Sequence, residues 1–477
     1  MRDLKNIYRG TLGKASEHAL KYLESLDARP VGATATLAEL RSRLNRPLTP
    51  EGIPAEQVID ELAADADDGI LASAGGRFFG WVLGGSVPAA LAADWLTSAW
   101  DQNAGLYVIS PAAAVVEEVC GAWLKDLFGL PQEASFALVT GCQMAHFTAL
   151  AAARNSVLAR AGWDVEKKGL FSAPPIRILA TDQKHSTVMR AIRLLGLGTD
   201  CLTDLHTGAD CRLGVEELRR GLESARGAPT IVILQAGDVN TGAYDPFAEL
   251  IPLAHSAGAW VHVDGAFGLW GAASPNYRKY LQGVELADSW ATDGHKWLNV
   301  PYDCGYAFVA DPLPHKAAMT AVASYLAHTD VARDEMDWNP DSSRRARGFA
   351  TYAAIRQLGR QGIADLVECC CRHAHTLVTR IGALEGAEMI WKPIINQGLV
   401  RFLDPRPGAS PADHDRRTEA VTAAIVASGE AFFSGTTWRG MRCIRVSVSS
   451  WQTDEADVER VVRAVEQAIH SVGEPKN

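Results

Sequence analysis

The sequence has no uncharged run long enough to cross a bilayer, which argues against a membrane-spanning protein. It also has no apolar stretch at its start, where Arg2, Asp3 and Lys5 lead into a polar amphipathic segment, so we expect no signal peptide. Nine cysteines, an odd number scattered over 477 residues, do not form a disulfide framework. These features predict a protein of a reducing compartment, and the cytoplasm is the simplest assignment.

Clusters of positive charge are scarce as well. The formal net charge is −10, and the one basic cluster that stands out spans residues 344–347. Because affinity for nucleic acid depends mainly on Lys and Arg that neutralise phosphates, this balance argues against a nucleic-acid partner, and we interpret the cluster as a solvated face. Hydrophobic residues at 47% and charged residues at 21% indicate instead a globular protein of two or three domains.

Strand-like and helical segments alternate through the middle of the chain. From residue 86 to 365 this alternation predicts an α/β domain with a mostly parallel sheet covered by helices. Residues 1–85 form amphipathic helical patterns and predict an N-terminal arm or cap, while 366–477 predict a small α+β C-terminal domain. The predicted strands span residues 135–140, 176–181, 230–235, 260–263, 289–292, 305–310, 398–402 and 443–447.

Two ionisable residues directly follow predicted strands, where ligands bind in open α/β sheets. Lys296 lies in apolar sequence, and burial would lower its pKa toward neutrality, the state in which an amine forms a Schiff base with an aldehyde. Asp264 ends an apolar strand, and a carboxylate against a pyridine nitrogen would keep that nitrogen protonated and the ring an electron sink. The alternatives are a surface lysine in a turn and a helix-capping aspartate.

Two further segments also follow predicted strands. His185 can stack on a planar cofactor or orient a substrate carboxylate. Residues 141–143 open a helix, whose free N–H groups and positive dipole end suit a phosphate, although Gly141 can also serve the turn alone. His262 and Asp264 share a strand face, but no third ligand follows at a metal-site spacing, so we predict no metal.

Taken in order, these residues resemble the group II amino-acid decarboxylases that depend on pyridoxal 5′-phosphate (PLP), the family of aromatic-amino-acid, glutamate and diaminobutyrate decarboxylases. The resemblance covers about residues 30–470 and is strongest at 262–264, 287–289, 295–300 and 303–304. It implies the fold of the aspartate-aminotransferase type, PLP as cofactor, an amino acid as substrate, and a homodimer with the active site at its interface.

Carried over residue by residue, the resemblance implies that Lys296 is the Schiff-base lysine and that Asp264 binds the ring nitrogen. It also implies that His185 stacks on one face of the ring, that Ala266 lies against the other, and that His295 helps to hold the phosphate. The phosphate-binding turn of the family matches Gly141, Cys142 and Gln143, and its substrate wall matches Trp81, Val82 and Leu83. In the family, small and hydroxyl residues are more usual at the positions of Cys142 and Gln143. This departure changes the side chains of the turn, and we expect its backbone contacts to the phosphate to stay intact.

The chain departs from the family in one loop. In the family, this loop usually presents a tyrosine that protonates the carbanion left when carbon dioxide departs. The matching residues of this chain, 327–347, contain no tyrosine, and Glu335 and Met336 are closest to the position of the family tyrosine. His328 is a candidate substitute. In the family, loss of this donor is associated with aldehyde formation.

The resemblance predicts a PLP-dependent carboxy-lyase that converts an L-amino acid to an amine. The wall from Trp81 to Leu83 favours an aromatic or other sizeable apolar side chain, and Arg439, Arg442 and Arg445 are candidates for the substrate carboxylate. An aldehyde synthase, a carbon–carbon lyase and an aminotransferase are alternatives within PLP chemistry. A catalytically silent binding protein with a PLP-enzyme fold is the alternative from another class.

Overall fold

The computed structural model describes residues 4–320 and 332–473. Its N-terminal part consists of the helices α1 (Leu4–Ser25), α2 (Leu37–Leu44) and α3 (Ala55–Ala66). Helix α2 begins at a capping box, in which the Thr36 hydroxyl accepts the N–H of Glu39 and the Glu39 carboxylate accepts the N–H of Thr36. Helices α1 and α3 pack against each other, and His18 Nε2 lies 2.6 Å from Asp60 Oδ1.

A seven-stranded sheet forms the centre of the chain. Its strands, in chain order, are β1 (Ser135–Val139), β2 (Arg177–Thr181), β3 (Leu202–Leu205), β4 (Thr230–Gln235), β5 (Trp260–Asp264), β6 (Ser289–Asp293) and β7 (Gly305–Val309). The spatial order is β1-β7-β6-β5-β4-β2-β3, with β7 antiparallel to both of its neighbours and every other pairing parallel. The predicted mostly parallel sheet is confirmed.

Helices cover both faces of this sheet, so its central strands are buried on both sides. In β4, Ile231 and Ile233 pack into one apolar cluster while Val232 and Leu234 pack into another, as the alternation of side chains along a strand requires. The helices of this part of the chain are α4 (Pro88–Trp100), α5 (Pro111–Phe128), α6 (Cys142–Arg160), α7 (Val165–Lys168), α8 (Ser186–Leu194), α9 (Val215–Ser224), α10 (Phe247–Ser256) and α11 (Pro312–Met319). Because the helices lie on the two faces, the carboxyl ends of the strands are open to a ligand.

A long helix, α12 (Gly348–Gly382), joins the large sheet to a smaller unit. It kinks at Gly359, where φ is 61°. The elements of the smaller unit are β8 (Ala387–Trp391), β9 (Gln397–Phe402), α13 (Pro411–Ser428), β10 (Ser434–Trp438), β11 (Met441–Ser447) and α14 (Glu455–Gly473). Its strands form an antiparallel sheet in the order β10-β11-β9-β8, and the fold class predicted from the sequence is thereby confirmed. The boundary proposed after residue 365 falls inside α12, and the three-part division stays a prediction.

The basic cluster at residues 344–347 is not a solvated face. Arg344 is 5% exposed, and its Nη1 donates to both carboxylate oxygens of Glu117 at 2.9 and 3.0 Å. Its Nη2 donates to the carbonyl of Leu138 at 2.6 Å. Arg345 and Arg347 are also paired with carboxylates. The interpretation as a solvated face was wrong because the acceptors, among them Glu117 on α5 and Leu138 on β1, lie far away in sequence.

None of the helices in the described residues has the length and apolar character that a membrane crossing requires. All nine cysteines lie in the described part of the chain, and all are free thiols. This agrees with the absence of a disulfide framework from the sequence pattern.

Candidate active site

A cavity of about 370 Å³ lies at the carboxyl edge of the large sheet. The last residues of β4, β5 and β6, which are Gln235, Asp264 and Asp293, form part of its wall. Two larger grooves, of about 740 and 760 Å³, involve the N-terminal region and lie away from these strand ends. The predicted site residues that line the cavity are Trp81, Val82, Leu83, Gly141, Cys142, Gln143, His185, Asp264, Ala266, His295 and Lys296. His328 lies outside the described residues.

Lys296 projects into this cavity from the turn after β6. Its Nζ lies 2.8 Å from Oδ2 of Asp293, whose side chain is 3% exposed. Burial acts to lower the pKa of Lys296, but the carboxylate of Asp293 raises it, and the net shift is upward. The predicted lowering of the Lys296 pKa was therefore wrong, because the neighbouring acidic groups, Asp293 first among them, together outweigh desolvation.

The turn that carries Lys296 is held by Asn299 and Gly84. Asn299 has a φ of 56°, and its Nδ2 donates to the carbonyls of Trp297 at 3.0 Å and of Ser449 at 2.9 Å. A Cβ at position 84 would overlap the carbonyl oxygen of Lys296 and lie 2.8 Å from Asn299 Nδ2. Only glycine fits against this turn.

Asp264 lies at the end of β5 with a buried carboxylate. Its Oδ1 accepts the N–H of Ala266 at 3.1 Å, and its Oδ2 lies 3.5 Å from Nε2 of His146. Burial acts to raise the pKa of this carboxyl, but His146, His185 and Lys296 together lower it by more, and the net shift is downward. The carboxylate is therefore held ionised in a buried position.

The helix α6 begins at the cavity and presents backbone donors. The N–H of Cys142 donates to Oδ1 of Asp293 at 2.5 Å, so a carboxylate already occupies part of this positive helix end. His295 lies beside it, and its Nδ1 accepts the N–H of Cys304 at 3.0 Å. A Cβ at Gly141 would come within 3.0 Å of His295 Cε1, so glycine keeps this corner open.

His185 and Trp81 lie where the cavity meets an outer groove of about 520 Å³. Nδ1 of His185 accepts the N–H of Thr187 at 3.3 Å and so caps α8. Burial is the main cause that lowers the pKa of His185. Trp81 is 54% exposed and stacks with Phe432 at 5.7 Å between ring centroids.

The donors and acceptors of the cavity fit a planar, phosphorylated aldehyde such as PLP. Lys296 supplies an amine, Asp264 supplies a buried carboxylate, and the start of α6 supplies amide donors. Gln235 Nε2 is buried on the same wall and has no hydrogen-bond partner among the described residues, although a buried donor normally has one. The wall therefore carries an unmatched donor that a polar ligand would satisfy.

The model of the pyridoxal-dependent decarboxylase conserved domain matches residues 40–403. The chain belongs to the pyridoxal-dependent decarboxylase family. This membership confirms the family, the PLP cofactor and the amino-acid decarboxylase class predicted from the sequence.

Curated relatives of the chain include enzymes whose names indicate different products. One is the 4-hydroxyphenylacetaldehyde synthase of Rhodiola rosea, 25% identical over 95% of this chain and 93% of the relative. Another is the aromatic-L-amino-acid decarboxylase of Bacillus atrophaeus, 24% identical over 96% of this chain and 95% of the relative. The crystal structure of Oryza sativa TDC with PLP and tryptamine is 23% identical, with a TM-score of 0.92 over 99% of this chain and 100% of that one, and shows the same fold.

Of the three arginines considered for the substrate carboxylate, Arg445 alone lines the cavity within the described part of the chain. Its Nη1 donates to the carbonyl of Val239 at 3.1 Å, and its Nε has no partner among the described residues. Arg442 forms an ion pair with Glu419 at 2.9 Å, and Arg439 donates to a backbone carbonyl. Arg445 is therefore the one available to a ligand there.

The part of the loop that the structure describes, residues 332–347, places no acid in the cavity. Glu335 is 1% exposed and lies 2.9 Å from Nε of Arg333. The N–H of the neighbouring Met336 donates to the carbonyl of Gly105 at 2.9 Å. In this pyridoxal-dependent decarboxylase, the two residues nearest to the family tyrosine are packed into the protein.

Among the residues that sequence reasoning missed at this site are Asp293, Gln235, Tyr302 and His146. Tyr302 lines the cavity and stacks on His295 at 4.3 Å. Asp293 and Gln235 are the last residues of their strands, so the rule that located Asp264 was sufficient to find both. His146 lies four residues after Cys142 and therefore on the same face of α6, a spacing that marks it as a neighbour of the site.

Proposed function

We propose that the protein removes carbon dioxide from an L-amino acid with an aromatic or other sizeable apolar side chain and releases the amine. The observation that carries this proposal is the convergence of Lys296, Asp264 and His185 on one cavity of about 370 Å³ at the carboxyl edge of the sheet. Relatives named as aromatic-amino-acid and tryptophan decarboxylases support the choice of side chain.

The roles of the residues follow from their positions. Lys296 would bind the cofactor covalently, Asp264 its ring nitrogen, and the amides that open α6 together with His295 its phosphate, while His185 and Ala266 would flank its ring. When bound, PLP supplies a ring that accepts the electron pair left at the α-carbon as carbon dioxide departs. Asp264 would keep the ring nitrogen protonated, because its carboxylate stays ionised in a buried site.

The chain must also bind the substrate and return a proton to its α-carbon. Arg445 would orient the incoming carboxylate, since its Nε is buried without a partner among the described residues. Val82, Leu83 and Phe267 give the wall an apolar part for the side chain. Lys296, once released from the cofactor, would donate the proton, because its raised pKa makes the protonated amine available.

An aldehyde synthase is the second candidate function. The supporting observation is that Glu335 and Met336 are buried and line no part of the cavity in the described residues, so no loop acid there is placed to protonate the carbanion. Dioxygen would then accept two electrons from the carbanion and be reduced to hydrogen peroxide, while water would hydrolyse the oxidised carbon–nitrogen bond to release aldehyde and ammonia. The relative from Rhodiola rosea supports this alternative by its name.

A single experiment separates these functions. The purified protein is loaded with PLP, its visible absorbance is recorded, and carbon dioxide, amine, aldehyde and peroxide are measured with a panel of amino acids. Carbon dioxide with an equal amount of amine supports the decarboxylase, and carbon dioxide with aldehyde and peroxide supports the synthase.

The matched variants are Lys296→Ala and Lys184→Ala. Lys184 is also largely enclosed and ion-paired, at 2.6 Å to Asp204, but it does not line the cavity. We expect Lys296→Ala to abolish both the visible band and turnover, and Lys184→Ala to keep both. A wild-type protein that binds no PLP would refute the proposal.

We also propose that the protein is a cytoplasmic homodimer. Large apolar side chains on α4, at the start of α5 and between them are 43–54% exposed: Trp95, Leu96, Trp100, Val108, Ile109 and Val115. A second copy of the chain would remove these exposed apolar side chains from water. We expect Leu96→Glu to lower the mass measured by sedimentation and Leu313→Glu, at an isolated exposed leucine, to leave it unchanged; a monomeric wild type would contradict the proposal.

A further inference from the structure

A buried chain of polar side chains lies behind Asp264, on α6, β5 and β6. His146 Nε2 is 3.5 Å from Asp264 Oδ2, and His146 Nδ1 is 2.9 Å from His262 Nε2. His262 Nδ1 is 2.9 Å from Ser289 Oγ, which accepts the indole N–H of Trp260 at 2.9 Å. His146, His262 and Ser289 are fully buried, at 0% exposed.

The direction of these hydrogen bonds follows from the groups at the two ends. The Asp264 carboxylate only accepts, so Nε2 of His146 must carry its proton. In the tautomers with one proton on each ring, His146 accepts at Nδ1 from Nε2–H of His262, which in turn accepts at Nδ1 from the hydroxyl of Ser289. Burial lowers the pKa of His262 to about 3, so this ring is neutral. Every donor in the series therefore points toward Asp264.

We propose that His146, oriented by His262 and Ser289, is a positioning residue that fixes the carboxylate of Asp264 for the ring nitrogen of the cofactor. The inference rests on the proposed role of Asp264. His146 reaches the carboxylate from α6, opposite the strand that carries Asp264, so the two elements hold it from different sides. Aligned donors polarise one another in a low-dielectric interior, which strengthens the last bond of the series.

The thiol of Cys142 also approaches His146, at 3.4 Å from Nε2. Together with Asp264 these residues form the one group of three possible metal ligands found among the described residues, with their ligand atoms within 4.8 Å of one another. Two of the three, Cys142 and Asp264, line the cofactor cavity. We assign the cluster to the positioning of Asp264, because the same carboxylate serves the proposed cofactor site.

The test measures cofactor binding, separately from turnover. Apoenzyme carrying His146→Leu, which removes the donor, is titrated with PLP and with a PLP analogue whose ring nitrogen is replaced by CH. We expect His146→Leu to weaken PLP binding about tenfold, the value of one hydrogen bond to a charged group, and to change analogue binding less than about twofold. PLP labelled with ¹⁵N in the ring should also show a changed nitrogen signal in this variant.

Two further variants serve as the conservative substitution and the control. His146→Gln keeps an acceptor and a donor in the same order, and we expect it to retain PLP affinity within about threefold. His315→Leu removes an equally buried histidine with two hydrogen bonds, to Ser135 and Trp338, away from Asp264, and should leave cofactor binding unchanged. Should His146→Leu not fold, His146→Asn takes its place, since its shorter amide loses the reach to Asp264.

Equal losses for PLP and the analogue, or an unchanged nitrogen signal, would overturn the inference. Asp264→Asn distinguishes this failure from failure of the proposed function. If Asp264→Asn alters PLP affinity and the nitrogen signal while His146→Leu alters neither, the positioning role alone is wrong. If Asp264→Asn alters neither, the proposed role of Asp264 is wrong.

Discussion

The contact between Gly84 and the Lys296 turn offers a sharp test of the geometry of the site. Replacing Gly84 with alanine would place a Cβ over the carbonyl oxygen of Lys296 and 2.8 Å from Asn299 Nδ2. Both neighbours are part of a buried turn, so the overlap must be relieved by movement of that turn. The turn must retreat by about 1 Å or more, since heavy atoms in contact lie roughly 3.5 Å apart.

Movement of the Lys296 turn should measurably lower the rate of carbon dioxide release. A misplacement of about 1 Å can cost about a hundredfold in rate, because the reacting groups no longer align. Overpacking of a filled site costs about 1–3 kcal/mol of unfolding free energy, which a protein of this size tolerates. We therefore expect Gly84→Ala to fold, to lose about a hundredfold in carbon dioxide release, and to show an altered visible band with PLP.

The assay combines urea unfolding, the absorbance spectrum and the rate of carbon dioxide release. Gly52→Ala is the matched control, because a Cβ there meets no atom within 4 Å. If Gly84→Ala folds and keeps the spectrum and rate of the wild type, the packing of Gly84 does not position Lys296 and the reasoning is refuted.

Three further predictions concern charge and stability. Asp293→Asn should bind PLP several-fold more tightly in equilibrium dialysis, because the carboxylate at the start of α6 competes with the phosphate; weaker binding would contradict this. Arg344→Ala should lower the free energy of unfolding by about 3–5 kcal/mol, since it leaves the buried carboxyl of Glu117 without its partner, whereas Arg345→Ala at a more exposed pair should cost about 0–1 kcal/mol. Equal losses in urea titrations would refute the distinction. Burial lowers the pKa of His315 to about 3, so between pH 3 and 6.5 the unfolded chain binds more protons than the folded one. The free energy of unfolding therefore decreases as the pH falls through this window, by up to about 1.4 kcal/mol per pH unit. Urea titrations at pH 7 and pH 5 should show a smaller loss for His315→Gln than for the wild type, and an equal loss would count against burial as the cause.

The sequence predicted the buried strands of the large sheet well and the exposed strands poorly. The strand at Thr230–Gln235 agrees in full, because a continuous apolar run is typical of a strand covered on both faces. The strands Leu202–Leu205, Ala387–Trp391 and Ser434–Trp438 were missed, since each is partly exposed and none has a continuous apolar run. Hydrophobic patterns in a sequence indicate which strands are buried, so they do not identify exposed strands at the edge of a sheet.

At the site, the sequence located residues better than it predicted their electrostatics. The rule that ligands lie beyond strand ends located Lys296 and Asp264, and both line the cavity. The direction of the Lys296 pKa shift was wrong because Asp293, only three residues earlier, turns its carboxylate onto the amine. The series behind Asp264 depends on the packing of α6 against the sheet. The spacing from Cys142 indicates that His146 lies near the site, but it does not indicate the contact of His146 with His262.

The side chain of Asn299 connects the two parts of the molecule at the point where the chemistry is proposed to occur. Its amide donates to the carbonyl of Ser449, and its Oδ1 accepts the N–H of Trp451 at 2.8 Å. Separation of the small unit from the large one would break these bonds and pull on the turn of Lys296. An opening motion of the two units would therefore displace the Lys296 amine each time it occurred. Entry of substrate and release of product through the groove beside Trp81 and His185 would leave the hydrogen bonds of Asn299 intact.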